Sequence, residues 1–224
     1  MNKYEIYDTK ERVLADNDRE AEKVRKELAE KNVFLVNLMS SPGAGKTTTL
    51  VRTIHALKDQ YRIGVMEADV DSDVDAKTIA NTGVKVIQLH TGGACHMDAD
   101  MTARGLEKMG FDDVDVVFLE NVGNLVCPAE CDVGAAKRVM ILSIPEGDDK
   151  PLKYPLMFTV SDVMIENKID VAPVFAYDFD KAETRAKQLN PKIQCFRISS
   201  LKGDGFEAWM DWLKREIEAW RNKK

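Results

Sequence analysis

Apolar residues fall along this chain in short runs of strand length, set between charged stretches of helical period. Residues 33–39, 114–119, 138–142 and 163–165 are near-continuously apolar, and 62–67, 85–89 and 192–198 repeat the character with more polar positions. A strand apolar on both faces belongs inside a parallel sheet. Between these runs the period changes. Residues 18–31 place Ala21, Val24 and Leu28 at three-to-four spacing among charges, which predicts a surface helix leading into the first strand. Asp98 and Gly110 read as the N-cap and the stop of another helix. A last helix spans about residues 205–221, with Phe206, Trp209, Met210, Leu213, Ile217 and Trp220 on one core-facing stripe. Trp212 lies off that stripe and is expected to be partly exposed. Alternating strands and helices mean βαβ units: an α/β architecture whose mostly parallel sheet is covered by helices on both faces. No repeat or low-complexity linker interrupts the chain. A single domain, 1–224, is expected, with 1–32 as an N-terminal helical extension.

The first apolar run leads into Ser40-Ser41-Pro42-Gly43-Ala44-Gly45-Lys46-Thr47-Thr48. Glycines let the backbone curl so that successive N–H groups face a phosphate, and the following helix adds positive charge at its N-terminus. The pattern is that of a P-loop, G-x-x-x-x-G-K-[ST], with Ser40 in place of the first glycine. The phosphate-contacting end is intact. Residues Pro42 to Thr48 (Pro42, Gly43, Ala44, Gly45, Lys46, Thr47 and Thr48) are expected to hold a nucleoside triphosphate. Lys46 would reach the terminal phosphates, and the Thr47 hydroxyl would ligate Mg2+. This motif makes the α/β architecture a three-layer P-loop NTPase fold.

The run at 114–119 ends in Glu120-Asn121-Val122-Gly123. An acid here holds magnesium, and many GTPases have D-x-x-G where this chain has E-x-x-G. The Gly123 N–H is expected to sense the γ-phosphate. Between the second and third strands Glu67, Asp69, Asp71, Asp73 and Asp75 alternate with other residues. A calcium loop fails here, because its glycine falls on Val74 and its closing glutamate on Ala80. Asp75, with Asp69 as a second candidate, is expected to approach magnesium when triphosphate binds. Lys46, Thr47, Asp75 and Glu120 form the expected catalytic set. The base is read from Asn167-Lys168-Ile169-Asp170, an N-K-x-D element. The Asp170 carboxylate can accept from guanine N1–H and N2–H, a donor pair that adenine lacks. Lys168 would lie over the base, Asn167 would brace the P-loop, and the backbone of Ser199, Ser200 and Leu201 would face the guanine O6. GTP and GDP are the expected ligands. Asn124, not glutamine, follows Gly123, and no arginine finger is evident, so slow intrinsic hydrolysis is expected.

Composition narrows the partners. The net charge is −6 with 31% charged residues, so no basic face points to nucleic acid. No apolar run approaches the roughly 20 residues that span a bilayer, and residues 1–5 lack the apolar core of a signal peptide. A cytoplasmic location is expected, with no membrane partner. The four cysteines are then thiols. Cys95-His96 and Cys127 offer soft to borderline donors suited to nickel, zinc or copper. Their spacing alone favours structural cysteines; their position favours a metal, since both segments leave strand ends on the nucleotide edge. Three ligands leave a tetrahedral site one short, to be completed by water or a second subunit. His90 and Cys131 stay open as further ligands, Cys195 reads as core, and Lys150 and Lys153 read as exposed surface lysines.

The P-loop, the 120–128 segment ending in Cys127-Pro128, Cys95-His96, Asn167-Lys168-Ile169-Asp170 and the 146–155 segment together resemble the HypB family of hydrogenase nickel-incorporation GTPases. The resemblance covers nearly all of the chain from Val33 onward. It implies a SIMIBI-class GTPase that dimerises with GTP and binds nickel or zinc at the subunit interface, with Cys95, His96 and Cys127 as ligands. It also implies nickel delivery toward the NiFe-hydrogenase large subunit, in concert with a HypA-type zinc partner. Some members carry a cysteine motif or histidine-rich tract near the N-terminus; neither stands before Val33, which leaves the interfacial site. Three alternatives stay open: a urease-type nickel GTPase, which usually has Cys-Pro-His where this chain has Cys95-His96; a P-loop kinase or ATPase acting on a small molecule; and a regulatory switch with structural cysteines.

Overall fold

The computed structural model describes residues 9–222, with side chains from residue 14, so the expectation about residues 1–5 lies outside the described residues. The chain runs α1 (Thr9–Lys31), β1 (Phe34–Ser40), α2 (Lys46–Leu57), β2 (Ile63–Asp69), α3 (Val74–Ala80), β3 (Lys85–His90), α4 (Ala99–Met109) and β4 (Val116–Glu120). It continues through α5 (Cys127–Glu130), β5 (Lys137–Ser143), α6 (Lys150–Lys153), α7 (Pro155–Val160), β6 (Val163–Asn167), α8 (Phe179–Leu189), β7 (Gln194–Ile198) and α9 (Phe206–Arg221). The seven strands form one sheet, ordered β3-β2-β4-β1-β5-β6-β7, and every pair in it is parallel. The chain leaves β1 toward one edge and later crosses to the other, so strand order reverses at β1. That reversal opens a crevice above its C-terminal end, where ligands bind in such sheets.

The period-2 alternation of the strands divides the core. Phe34, Val36 and Leu38 of β1, with Val65, Phe118, Ile141 and Ile165, pack against α2 and α9. Leu35, Met66, Val117 and Leu119 face Val24 and Leu28 of α1 and Leu106 and Met109 of α4. Met39, Met140, Leu142 and Met164 meet Met157 and Phe158 of α7 and Ala186 of α8. Each fully buried side chain of this size contributes roughly 1.5–3 kcal/mol, which is why the apolar runs are central. Asp98 caps α4 as expected, its carboxylate accepting from Met101 N at 2.7 Å, and Gly110 ends that helix. Among the described residues no helix is long and apolar enough to cross a membrane.

Three details differ from the sequence pattern. The first helix already runs through the described residues from Thr9, upstream of the periodic stretch at 18–31. Trp212 is 6% exposed, not partly exposed: it stacks on Trp209 with centroids 5.5 Å apart and packs against Phe196 on the β7 edge. Lys150 is half-buried, its ammonium 5.3 Å from the Tyr154 ring centroid, whereas Lys153 is exposed and pairs with Asp149 at 2.6 Å.

Glu166 is wholly buried in β6; the Tyr177 hydroxyl donates to its Oε1 at 2.7 Å and Arg197 Nε stands 3.6 Å from its Oε2. Burial pushes this carboxyl from 4.5 up to about 7, against the Tyr177 hydrogen bond. Because the folded value is raised, the folded chain holds more protons than the unfolded chain in that window and loses stability as pH rises through it. Glu166→Gln keeps an acceptor for Tyr177. It is expected to stabilise the fold more at pH 8 than at pH 5, by on the order of 1–3 kcal/mol. Urea unfolding at the two pH values measures this, and a larger loss at pH 8 would mean that the Arg197 pairing outweighs burial.

Candidate nucleotide and metal site

β1 ends at Ser40, and the chain turns through residues 41–45 into α2, which begins at Lys46. Gly43 and Gly45 are left-handed, at φ +74° and +99°, and a Cβ at Gly45 would stand 2.5 Å from Asn167 Nδ2. Only glycine fits there. Ser40 is not left-handed, so serine takes the first motif position without strain. Its Oγ accepts from Lys46 Nζ at 3.1 Å and donates to the Ser41 carbonyl at 2.6 Å. The Thr47 hydroxyl donates to Glu120 Oε1 at 2.7 Å. These residues open on a cleft of about 570 Å³, within the usual range for ligand sites. Its lining includes Pro42, Thr48, Gly123 and Lys168, with Asp69 from the end of β2 and Asp75 from the first turn of α3. A larger depression of about 770 Å³, lined by Lys58, Tyr61, Arg62 and Asp115, carries none of these residues.

Burial sets the electrostatics of the phosphate end. Glu120 is 2% exposed, and burial pushes its carboxyl up to about 7, opposed by the Thr47 hydrogen bond and by Lys46. Burial likewise lowers the Lys46 ammonium, opposed by Glu120 and Asp75. Glu67 carries no assignment from sequence, yet it stands beside Glu120 in the β2–β4 register and is 3% exposed. Burial takes it too up to about 7. An acid on the core face of a buried strand was its one signal, hidden among the alternating acids. The Oε2 atoms of Glu67 and Glu120 have no hydrogen-bond partner. Unpartnered buried carboxyl oxygens are relieved by a cation, and hydroxyl plus carboxylate oxygens are the hard donors that magnesium takes. Thr47 and Glu120 fit that ion. Asp69 accepts from Asp71 N and Ser72 N at 3.0 and 2.7 Å, which holds its carboxyl low and occupies one oxygen in its own turn.

A second hollow, about 260 Å³, adjoins the first at Gly45, Thr48 and Lys168. Asn167, Asp170, Ser200 and Leu201 line it. Asn167 Nδ2 donates to the Ala44 carbonyl at 2.9 Å, and its Oδ1 accepts from Ser200 N at 3.1 Å. Lys168 is left-handed at φ +67° and donates to the Gly43 carbonyl at 2.7 Å. Such a backbone persists only where its surroundings hold it. Ser199 Oγ donates to the Asp170 carboxylate at 2.6 Å and keeps that carboxyl low. Arg52, which no motif marks, holds the loop by donating to the Ser200 and Leu201 carbonyls at 2.7 and 2.8 Å.

Cys95, His96 and Cys127 bring their ligand atoms within 4.8 Å of one another. Cys95 is exposed and the other two are half-buried. The Cys127 thiol is pushed up, first by its hydrogen bond with Cys95 and then by burial. Two thiols and an imidazole at this separation suit a borderline cation that displaces the thiol protons. His90 and Cys131 are not in this cluster; burial raises Cys131 to about 11. Cys195 is half-buried in β7 and packs against the Met164 layer, its thiol raised by burial to about 12.

A profile of the CobW/HypB/UreG nucleotide-binding domain matches residues 33–197. The hydrogenase maturation factor HypB of Escherichia coli strain K12 is 43% identical over 91% of this chain and 70% of that protein. The probable hydrogenase maturation factor HypB of Methanocaldococcus jannaschii is 36% identical over 95% of this chain and 96% of its own length. A crystal structure of HypB from Helicobacter pylori in complex with nickel superposes with a TM-score of 0.84 at 34% identity, covering 93% of this chain and 99% of that one. The signal recognition particle receptor FtsY from Elizabethkingia anophelis shares the fold alone, with a TM-score of 0.54 at 14% identity over 92% of this chain and 73% of that one. Nucleotide cleft, thiol–imidazole cluster and relatives agree, and this chain belongs to the HypB family of hydrogenase maturation factors, within the CobW/HypB/UreG nucleotide-binding domains.

Proposed function

We propose that this protein is a GTP-hydrolysing metallochaperone. It takes up nickel or zinc at Cys95, His96 and Cys127 and releases nickel toward a NiFe-hydrogenase large subunit. The observation that carries the reading is the gathering of those three ligand atoms within 4.8 Å, two on the β3–α4 loop and one at the start of α5, both segments following strands that end on the P-loop edge of the sheet. Similarity to a HypB crystallised with nickel supports the choice of cargo.

GTP enters along the P-loop. Lys46 exchanges its bond to Ser40 for the terminal phosphates, and the Gly123 N–H meets the γ-phosphate. Thr47 and Glu120 would hold Mg2+, with Asp75 approaching across the cleft, and the ion would supply positive charge against the phosphates. Asp170 reads guanine, while Asn167 and Lys168 fix the P-loop to the base-side turn. The GTP-bound arrangement of residues 120–123 carries Cys127 with it and favours a homodimer, whose partner supplies the missing ligand. Hydrolysis, slow with Asn124 beside Gly123, releases the arrangement and hands on the metal. A HypA-type zinc protein and the hydrogenase large subunit are the expected partners, in the cytoplasm. The chain works as one GTPase domain, with α1 as its helical extension.

Asp170→Asn is expected to weaken GDP and GTP binding about 10- to 100-fold, the loss of about 1.5–3 kcal/mol in a charged hydrogen bond. The same variant should gain xanthosine nucleotides, whose 2-oxo group accepts where guanine donates. Fluorescent-nucleotide titration reads both, and unchanged guanine selectivity would favour the kinase or ATPase alternative. Replacing Cys95 or Cys127 by alanine is expected to abolish stoichiometric nickel and zinc binding with the fold intact. Retained metal, measured by elemental analysis after gel filtration, would leave those cysteines structural. Metal affinity and solution mass should also differ between GDP and a non-hydrolysable GTP analogue; identical values would end the coupling reading.

A further inference from the structure

The two metal-holding loops reach the nucleotide by different routes. Cys127 follows Glu120 and Gly123 on the same stretch of backbone. Cys95 and His96 lie on the loop between β3 and α4, which shares no backbone with either. One buried side chain crosses between them. Asn121, 1% exposed, accepts on its Oδ1 from Met97 N at 3.2 Å and from Val122 N at 2.9 Å. A single oxygen therefore serves the amide that follows His96 and the amide that precedes Gly123. Because both partners are N–H donors, the oxygen of Asn121 must face them, which turns its nitrogen toward β1. There Nδ2 donates at 3.1 Å to Oδ1 of Asn37, itself 1% exposed within an apolar strand. An amide in such a strand is costly unless it is bonded. Asn37 is thus a fixed post for Asn121.

We propose that Asn121 is the positioning residue that transmits the nucleotide state to the loop bearing Cys95 and His96, anchored by Asn37. The inference rests on the nucleotide–metal coupling proposed above. When residues 120–123 shift toward a phosphate, the shared oxygen either draws Met97 along or leaves a buried N–H unbonded, and the second outcome is strongly disfavoured. Beyond Met97 the loop is pinned separately. Ala99 N donates to Asn17 Oδ1 at 2.9 Å, and Asn17 Nδ2 donates to the Asp132 carbonyl at 2.9 Å. The displacement is therefore confined to the segment that holds Cys95 and His96.

Nickel titrations of the intact protein, with GDP and with a non-hydrolysable GTP analogue, test this in three forms: wild type, Asn121→Ala and Asn121→Asp. The wild type is expected to show a ratio of affinities in the range of about 5- to 150-fold between the two states. Asn121→Ala should bring that ratio to within about twofold while keeping nickel stoichiometry and GDP affinity. Asn121→Asp should retain the ratio, since a carboxylate oxygen still accepts from both amides and Asn37 can turn its own nitrogen toward it. A wild-type ratio in Asn121→Ala overturns the proposal, as does loss of the ratio in both variants. A ratio of one in the wild type ends the coupling reading itself, and this inference with it. Hydrogen exchange of the wild type needs no variant: protection of residues 91–101 should change between the two nucleotide states, and unchanged protection overturns the proposal even if Asn121→Ala does not fold.

Discussion

Because all seven strands run parallel, every loop that follows a strand leaves from one edge, and the register sets the height at which it starts. Leu38 and Glu67 both lie level with Glu120, Asp69 with His90, and Asn167 with Ser143 and Ile198. The P-loop at the end of β1 thus meets the acid of β4 on one side and, across β5, the amide of Asn167 on the other. An antiparallel strand at either place would have sent its loop to the far edge. Burial of both faces of β1 makes that register expensive to disturb, since a one-residue slip exchanges the side chains of the two core faces.

The same register explains what could be read in advance. Strand interiors were legible, since a strand buried on both faces must be apolar throughout. Strand ends were not. The apolar pattern stops at Leu89, Leu119, Leu142 and Ile165, while the strands continue to His90, Glu120, Ser143 and Asn167. Of those last residues Glu120 and Asn167 line the nucleotide hollows, so the pattern fails where function begins. Motifs filled much of that gap: the P-loop and the N-K-x-D element mark their own turns. Side chains that work through a contact distant in sequence left no trace. Arg52 lies on a helix like any surface arginine, Glu67 hides in an acidic run, Asn37 reads as a single polar interruption, and Asn121 reads as a spacer between Glu120 and Gly123. Trp212 was misjudged for a related reason. A helical stripe describes one contact face, and α9 also covers the outer strand β7, where Phe196 receives that ring.

The phosphate end carries its own tension. Glu67 and Glu120 are buried side by side with oxygens that no protein donor reaches, and the half-buried Lys46 ammonium stands close enough to Glu120 to oppose its neutralisation. Such a cluster is a poor way to stabilise a fold, because each ionised form loses hydration that its neighbours only partly replace. It is a good way to make the fold responsive, because polyphosphate and a cation rearrange several charges at once. Thr47 bonded to Glu120 and Lys46 bonded to Ser40 are temporary satisfactions of this kind, ready to be exchanged for ligand.

The thiol–imidazole cluster follows a parallel logic at lower dielectric cost. A structural zinc site closes its tetrahedron with four protein ligands and holds its metal as part of the fold. Here three groups converge and Cys95 remains exposed, so an incoming ligand has a face from which to attack. A fourth donor from a second subunit would shut that face, and its withdrawal would open it again. Release then needs no unfolding and no strong competitor, only separation of two surfaces. A nucleotide whose hydrolysis alters the 120–123 segment can drive that separation, provided that both halves of the cluster follow it. Cys127 would do so through the backbone, and Cys95 with His96 through the Asn121 oxygen that Met97 N and Val122 N share, so timing and cargo would run along one short mechanical path.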